Sequence, residues 1–92
     1  MNVTVNALTA AVSRLNDLAG VSAASATYLD AEGAIYWRVG RYCLDIANGG
    51  YKLVIIRTPE GATSDALGTG FVSKRELLDA INTFMRGIET RN

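Results

Sequence analysis

The sequence predicts an α+β fold of order αβββα, a three-stranded antiparallel β-meander flanked by an N-terminal and a C-terminal helix. Three observations carry the prediction: an apolar stripe at helical spacing near the start, a second at the end, and between them Asn48-Gly49-Gly50 joining two strand-like runs. The 92 residues leave room for one small domain over 1–92, since domains usually run to ~100–150 residues. With 49% hydrophobic and 20% charged residues, the chain can build a core and is too apolar for a disordered segment.

Val5, Leu8, Ala11, Val12, Leu15 and Leu18 recur every three or four residues, which marks a helix over about Thr4 to Ala19. Thr4 supplies an N-cap hydroxyl, and Gly20 stands where a left-handed residue would end the helix. Residues 21–33 are small and polar, a loop or a weak edge strand in which only Ser25-Ala26-Thr27-Tyr28-Leu29 looks strand-like. From Ala34, alternation puts Ile35, Trp37 and Val39 on one side of a half-buried strand and Tyr36 and Arg38 on the other. At Gly40 the parity of the apolar positions flips, so either a bulge lies there or, as the better reading, the strand breaks and a new one starts.

Asn48-Gly49-Gly50 accepts the positive φ of a tight hairpin. The strand that follows, Tyr51 to Thr58, is apolar on both sides and should be central. Pro59-Glu60-Gly61 turns the chain, Ala62 to Leu67 returns as the third strand, and Gly68-Thr69-Gly70 releases it. Leu77, Leu78, Ile81, Phe84, Met85 and Ile88 then define a helix over about Ser73 to Arg86. Its start carries a capping box, Ser73 to Glu76, and a staple, Val72 with Leu77; Gly87-Ile88 predicts a Schellman ending. A charge at Leu77 or Phe84 should unfold the domain.

Composition excludes much chemistry. Without histidine the chain lacks the commonest metal ligand and the commonest general acid and base, so neither a catalytic residue nor a metal ligand, and no cofactor, is expected. Cys43, the one cysteine, has no base beside it in sequence and no disulfide partner, which predicts an idle thiol in a reducing compartment. Asp30 with Glu32, and Asp45 with Asp65, are the carboxylates that could pair, and turn chemistry accounts for them better than acid catalysis. The glycines of Leu67-Gly68-Thr69-Gly70-Phe71 fit no phosphate loop, although Lys74 and Arg75 at the following helix start leave room for a weak anion site. Neither a secretory signal nor a membrane span is expected, since no run of ~18 apolar residues occurs.

Tyr36, Trp37, Arg38, Arg41, Tyr42, Tyr51, Lys52 and Arg57 interleave rings with cations, a pattern that can hold single-stranded nucleic acid if it shares one sheet face. Core packing explains most of it. Nine basic residues balance nine acidic ones, so free nucleic acid is not expected as the main ligand, and contacts must come from a local patch.

The stretch from Val39 to Ile88 resembles small proteins encoded by bacteriophages and prophages. The resemblance rests on Asn48-Gly49-Gly50-Tyr51, Leu53, Lys74-Arg75-Glu76-Leu77 and Phe84 through Gly87-Ile88. Within that set, the length, charge balance and element order look like a type I-F anti-CRISPR protein. The resemblance implies a non-catalytic inhibitor in the cytoplasm of the infected bacterial host. Its partners would be subunits of the guide-RNA-loaded CRISPR-Cas surveillance complex, with the guide RNA itself within reach, and target DNA would go unrecognised. It implies no small-molecule substrate and no membrane. Such an inhibitor works through surface contacts of ~800 Å² per side. Near a guide RNA it needs local cations, for which position and expected exposure select Arg38, Arg41, Lys52, Lys74 and Arg75. Arg14 and Asp17 read as a solvated helix pair. Two other readings stay open: a phage accessory protein for another host protein, and a small single-strand-binding domain.

Overall fold

The computed structural model describes residues 3–21 and 27–91. Helix α1 spans Val5–Leu18, and both of its ends close as the sequence predicts. Thr4 Oγ1 accepts from Ala7 N at 3.1 Å. At the other end Gly20 takes φ +80°, its N–H donating to Asp17 O while Val21 N donates to Asn16 O, the paired bonds of a Schellman motif. Leu8, Ala11, Val12 and Leu15 are buried, whereas the ends of the predicted stripe, Val5 and Leu18, are exposed.

The chain continues through β1 (Thr27–Leu29), β2 (Ile35–Trp37), β3 (Tyr42–Ala47), β4 (Gly50–Ile56) and β5 (Thr63–Asp65) to helix α2 (Lys74–Arg91). The expected meander is the three-stranded sheet β3-β4-β5, antiparallel throughout with β4 in the centre. Asn48 at φ 54° and Gly49 at φ 75° turn the chain between the paired Ala47 and Gly50. Gly40 marks the expected break: it takes φ +89° and donates to Ile56 O at 2.8 Å, and β3 starts beyond it. On the flank of β4 that β5 leaves uncovered, Tyr51 and Val72 exchange two backbone bonds, 2.8 and 2.9 Å, which brings the chain to the start of α2.

The helices cover one side of this sheet. Leu8, Ala11, Val12 and Leu15 of α1 meet Leu77, Ile81 and Met85 of α2 over Leu53 of β4, and Tyr42, Leu44 and Tyr51 pack around them. Each large aliphatic residue fully buried here contributes ~1.5–3 kcal/mol. Within this apolar layer lies Asn16, only 2% exposed. Its Nδ2 donates to Tyr42 O at 3.0 Å and its Oδ1 accepts from Tyr42 N at 2.8 Å, so one side-chain amide satisfies both backbone groups of an outer strand and ties α1 to it.

Two expectations are corrected. Helix α2 does not stop at Arg86: it runs through Gly87 to Arg91, and Gly87 is not left-handed. Ile88 still packs on the core three and four residues beyond Met85 and Phe84, so the apolar register carries the helix past its glycine. The face of Ile35, Trp37 and Val39 is exposed, not half-buried, because β2 belongs to a separate two-stranded sheet with β1. The run from Ser25 to Leu29 does contribute β1 through its last three residues; Ser25 and Ala26 lie outside the described residues.

Candidate interaction surfaces

Two surfaces concentrate the exposed aromatic, aliphatic and basic side chains. The first lies at the end of the sheet where Tyr51 bridges Val72. That bridge sets Phe71 beside the start of β4, so close to Gly50 that a Cβ there would stand 2.8 Å from Phe71 Cβ. Lys52 places its Nζ 4.4 Å from the centre of the Phe71 ring, and Lys74 places its Nζ 5.9 Å from that of Tyr51. Both contacts lie within the ~6 Å of a cation–π interaction. Arg75 follows, exposed, in the first turn of α2, and Phe71 remains 39% exposed. Three of the five cations expected at a partner surface, Lys52, Lys74 and Arg75, therefore fall within three residues of one backbone bridge.

The other two stand apart. Arg41 accepts from Ile56 N through its carbonyl at 3.0 Å, so it lies at the far end of β4, five residues from Tyr51 and about 16 Å away at strand rise. Its Nη1 donates to Val21 O at 3.2 Å, which fastens the end of the α1 segment to the start of β3. Arg38 lies with its guanidinium 5.1 Å from the centre of the Tyr28 ring. The five cations make two groups and not one patch.

The anion site is filled from within. Ser73 Oγ accepts from Glu76 N at 3.1 Å and donates to Glu76 Oε1 at 3.1 Å, so the protein's own hydroxyl and carboxylate occupy the start of α2. The glycine-rich loop before it is organised by Asp65. Oδ1 accepts from Leu67 N and Gly68 N, and Oδ2 accepts from Gly70 N at 2.7 Å. Partial desolvation works to raise this carboxyl, but the three N–H bonds, from Gly70, Leu67 and Gly68, together with the charge of Lys52, outweigh it and hold Asp65 below its ordinary value of 3.8. A carboxyl depressed in the folded state stabilises the fold above its unfolded value and loses that contribution as pH falls through the folded value. Asp65→Asn should therefore melt below the unaltered protein at pH 7, with the gap closing in melts taken at successively lower pH below 3.8. A gap independent of pH would show that the charge does not hold this loop.

Asp30 follows the turn reading, whereas Asp45 does not: it stands inside β3. Asp30 Oδ1 accepts from Glu32 N and Ala34 N, both at 2.9 Å, and closes the β1–β2 turn. Asp45 pairs with Lys52 across β3 and β4, while Asp65 pairs with Val54 on the other side of β4, so the two acids stand two strands apart. Among the described residues no group of three or more His, Cys, Asp and Glu is placed to hold a metal ion, and no helix is long and apolar enough to cross a membrane. Cys43 is half-buried; burial pushes its thiol above the ordinary 9.0, against a smaller opposing pull from Arg41, and so keeps it protonated at neutral pH.

The second surface is the β1–β2 hairpin. Leu29 and Ile35 face each other in register and are 67% and 69% exposed, with Trp37 beside them on the same side at 41%. Tyr28 and Tyr36 occupy the opposite side with ring centres 5.8 Å apart. Trp37 ties this arm to the body: its N–H donates to Pro59 O at 2.7 Å, and its indole lies so close to Gly61, at φ +98°, that a Cβ there would come within 2.6 Å of it. The same indole lines a cavity of about 220 Å³ with Cys43, Val54 and Ile56, shielding the side of the sheet that the helices leave uncovered. The radius of gyration, 13.8 Å, exceeds the roughly 12 Å of an equally long compact domain, consistent with a projecting arm.

The aromatic and basic pattern seen in the sequence is therefore divided. Tyr42 meets Phe84 edge to face in the helix-covered layer, with ring centres 6.0 Å apart, and Tyr51 packs on the core, whereas Tyr36, Trp37 and Arg38 belong to the arm. Arg57 is exposed and donates from Nε to Ser64 Oγ at 2.8 Å. Arg14 and Asp17 are exposed and line a cleft of about 580 Å³ between the helices, over Leu18 and Met85. Sequence reasoning did not single out Phe71, Leu29 or Asn16 for these roles. Asn16 was signalled by its spacing from Leu8 and Val12, but nothing local marks Phe71 as the neighbour of Lys52. No family model, curated protein or solved structure matches the chain.

Proposed function

We propose that this protein is a phage-encoded, non-catalytic inhibitor that binds the guide-RNA-loaded type I-F CRISPR surveillance complex and prevents recognition of target DNA. It acts by occupancy in the cytoplasm of the infected bacterium. The resemblance over Val39 to Ile88 supplies the target class, and the gathering of Lys52, Lys74 and Arg75 around the exposed Phe71 is the observation that supports a contact surface for it. Cations seated over rings keep their charge and lose little freedom on binding, which suits a surface that meets RNA phosphates held by another protein. Phe71 supplies the apolar centre that such a contact needs.

The test is target-DNA binding by a purified type I-F surveillance complex titrated with this protein, with co-elution on a sizing column followed in the same mixture. DNA binding should fall in proportion to the protein added until the complex is saturated. The triple variant Lys52→Glu, Lys74→Glu, Arg75→Glu should melt near the unaltered protein and lose inhibition by at least about a hundredfold, as expected when several contact charges are reversed. A protein that neither co-elutes nor changes DNA binding removes the type I-F reading. Salt-sensitive binding to a naked single strand, in its place, would favour a nucleic-acid-binding domain.

A further inference from the structure

We propose that Phe71, fixed in place by Gly50 and Asp65, holds Lys52 off its cross-strand neighbour Asp45 and so keeps that charge available to a target. The inference rests on the reading of this surface as the contact with the surveillance complex, and it names the residues that position it. Lys52 of β4 stands in register with Asp45 of β3, and opposite charges so placed ordinarily meet. Among the described residues the two form no ion pair, and the ammonium lies 4.4 Å from the centre of the Phe71 ring instead. A cation over a ring and a surface ion pair are of similar strength, so the place of the ring decides which partner Lys52 takes. Over the ring the ammonium keeps its charge for a second partner; on Asp45 it is neutralised.

Two residues fix the ring. Gly50 lets the chain approach: a Cβ there would stand 2.8 Å from Phe71 Cβ and 3.3 Å from its carbonyl carbon. Gly50 pairs with Ala47 inside the sheet and is not left-handed, so its missing side chain serves this approach and not the turn, which Asn48 and Gly49 make. From the loop side, Asp65 Oδ2 accepts from Gly70 N at 2.7 Å and Oδ1 accepts from Leu67 N and Gly68 N, which sets the residue before Phe71. Asp65 pairs with Val54, two residues on from Lys52, and therefore lies on the same side of the sheet as Lys52. Its carboxylate is already taken by three N–H groups, so Asp45 is the acid left for Lys52.

The Lys52 ε-methylene protons, set against the ring, should resonate upfield of those of an exposed lysine in NMR spectra of the unaltered protein, a measurement that needs no partner. Gly50→Ala should fold, lose most of that upfield shift, and inhibit target-DNA binding by the surveillance complex about tenfold less well although it keeps every cation. Adding Asp45→Asn should recover inhibition to within about threefold while the shift stays lost, because Lys52 then has no acid to fall on. Asp65→Asn should behave as Gly50→Ala does, since its amide leaves at least one of the three N–H groups without an acceptor whichever way it turns. Should Gly50→Ala not fold, Asp65→Asn carries the same readouts. An upfield shift retained in these variants overturns the proposal. So does a variant that loses the shift yet inhibits as well as the original, or one that Asp45→Asn fails to rescue. If the unaltered protein neither co-elutes with the complex nor changes its DNA binding, the inhibitor reading falls, and the NMR shift alone, lost or kept in the two variants, decides whether Gly50 and Asp65 hold Phe71 against Lys52.

Discussion

Asn16→Ala should lower stability by about 2–4 kcal/mol, a fall in Tm of roughly 10–20 °C for a domain of this size. The side chain contributes little apolar area, so the loss comes from what it leaves behind. The N–H and C=O of Tyr42, on the outer strand β3, each lose the partner that the amide supplied at 2.8 and 3.0 Å. Burial beside Leu15 and Val12 leaves little room for water to replace it. Asn16→Leu sharpens the test. It matches the volume and raises apolarity, yet should be nearly as harmful, because leucine can satisfy neither group. Asn16→Asp should be worst at neutral pH, where a buried carboxylate faces Tyr42 O, and should recover as acid protonates it and restores a donor. Denaturant midpoints across pH would read all three variants, and an Asn16→Leu protein as stable as the original would show that Tyr42 needs no side-chain partner.

Leu77→Asp should abolish folding. Leu77 is inaccessible to water and sits among Leu8, Leu15, Leu53 and Ile81, with no cation in that cluster to pair with a carboxylate. A charge there costs several kcal/mol, comparable with the 5–15 kcal/mol that holds a typical domain together. Circular dichroism should show no cooperative melt. Leu77→Ala, which leaves a cavity but no charge, should cost about 2–5 kcal/mol and still fold. Phe84→Asp separates from Leu77→Asp once the structure is known: Phe84 is half-buried, with one edge against Tyr42, so a carboxylate there can reach water. Its loss should be closer to 2–3 kcal/mol. Equal behaviour of the two aspartate variants would contradict the burial difference between these positions.

Much of the fold was legible because its signals are local. The Thr4 cap, the Gly20 ending, the Asn48-Gly49 turn and the Ser73 cap each need only a few neighbouring residues, and each formed as its residue types require. The stripes of α1 and α2 and the two-sided apolarity of β4 likewise follow from periodicity within one element. The ending at Gly87 was misjudged for the converse reason. Glycine permits a left-handed stop but does not impose one, and Ile88 gains more by continuing to pack on the core.

By itself, then, the sequence determined the helices, the meander and its central strand, and the absence of histidine chemistry. Tertiary structure alone decided which cations share a surface. It gathered Lys52 and Lys74 beside Phe71 and Tyr51 through a bridge between residues 51 and 72, and it left Arg38 and Arg41 at the other end of the sheet. It also decided that Ile35 and Leu29 face solvent and that Asn16 completes a strand edge 26 residues away. Side-chain period says which residues share a side of one element. Whether that side is covered, and by what, depends on contacts between residues far apart in the chain, which no local pattern encodes.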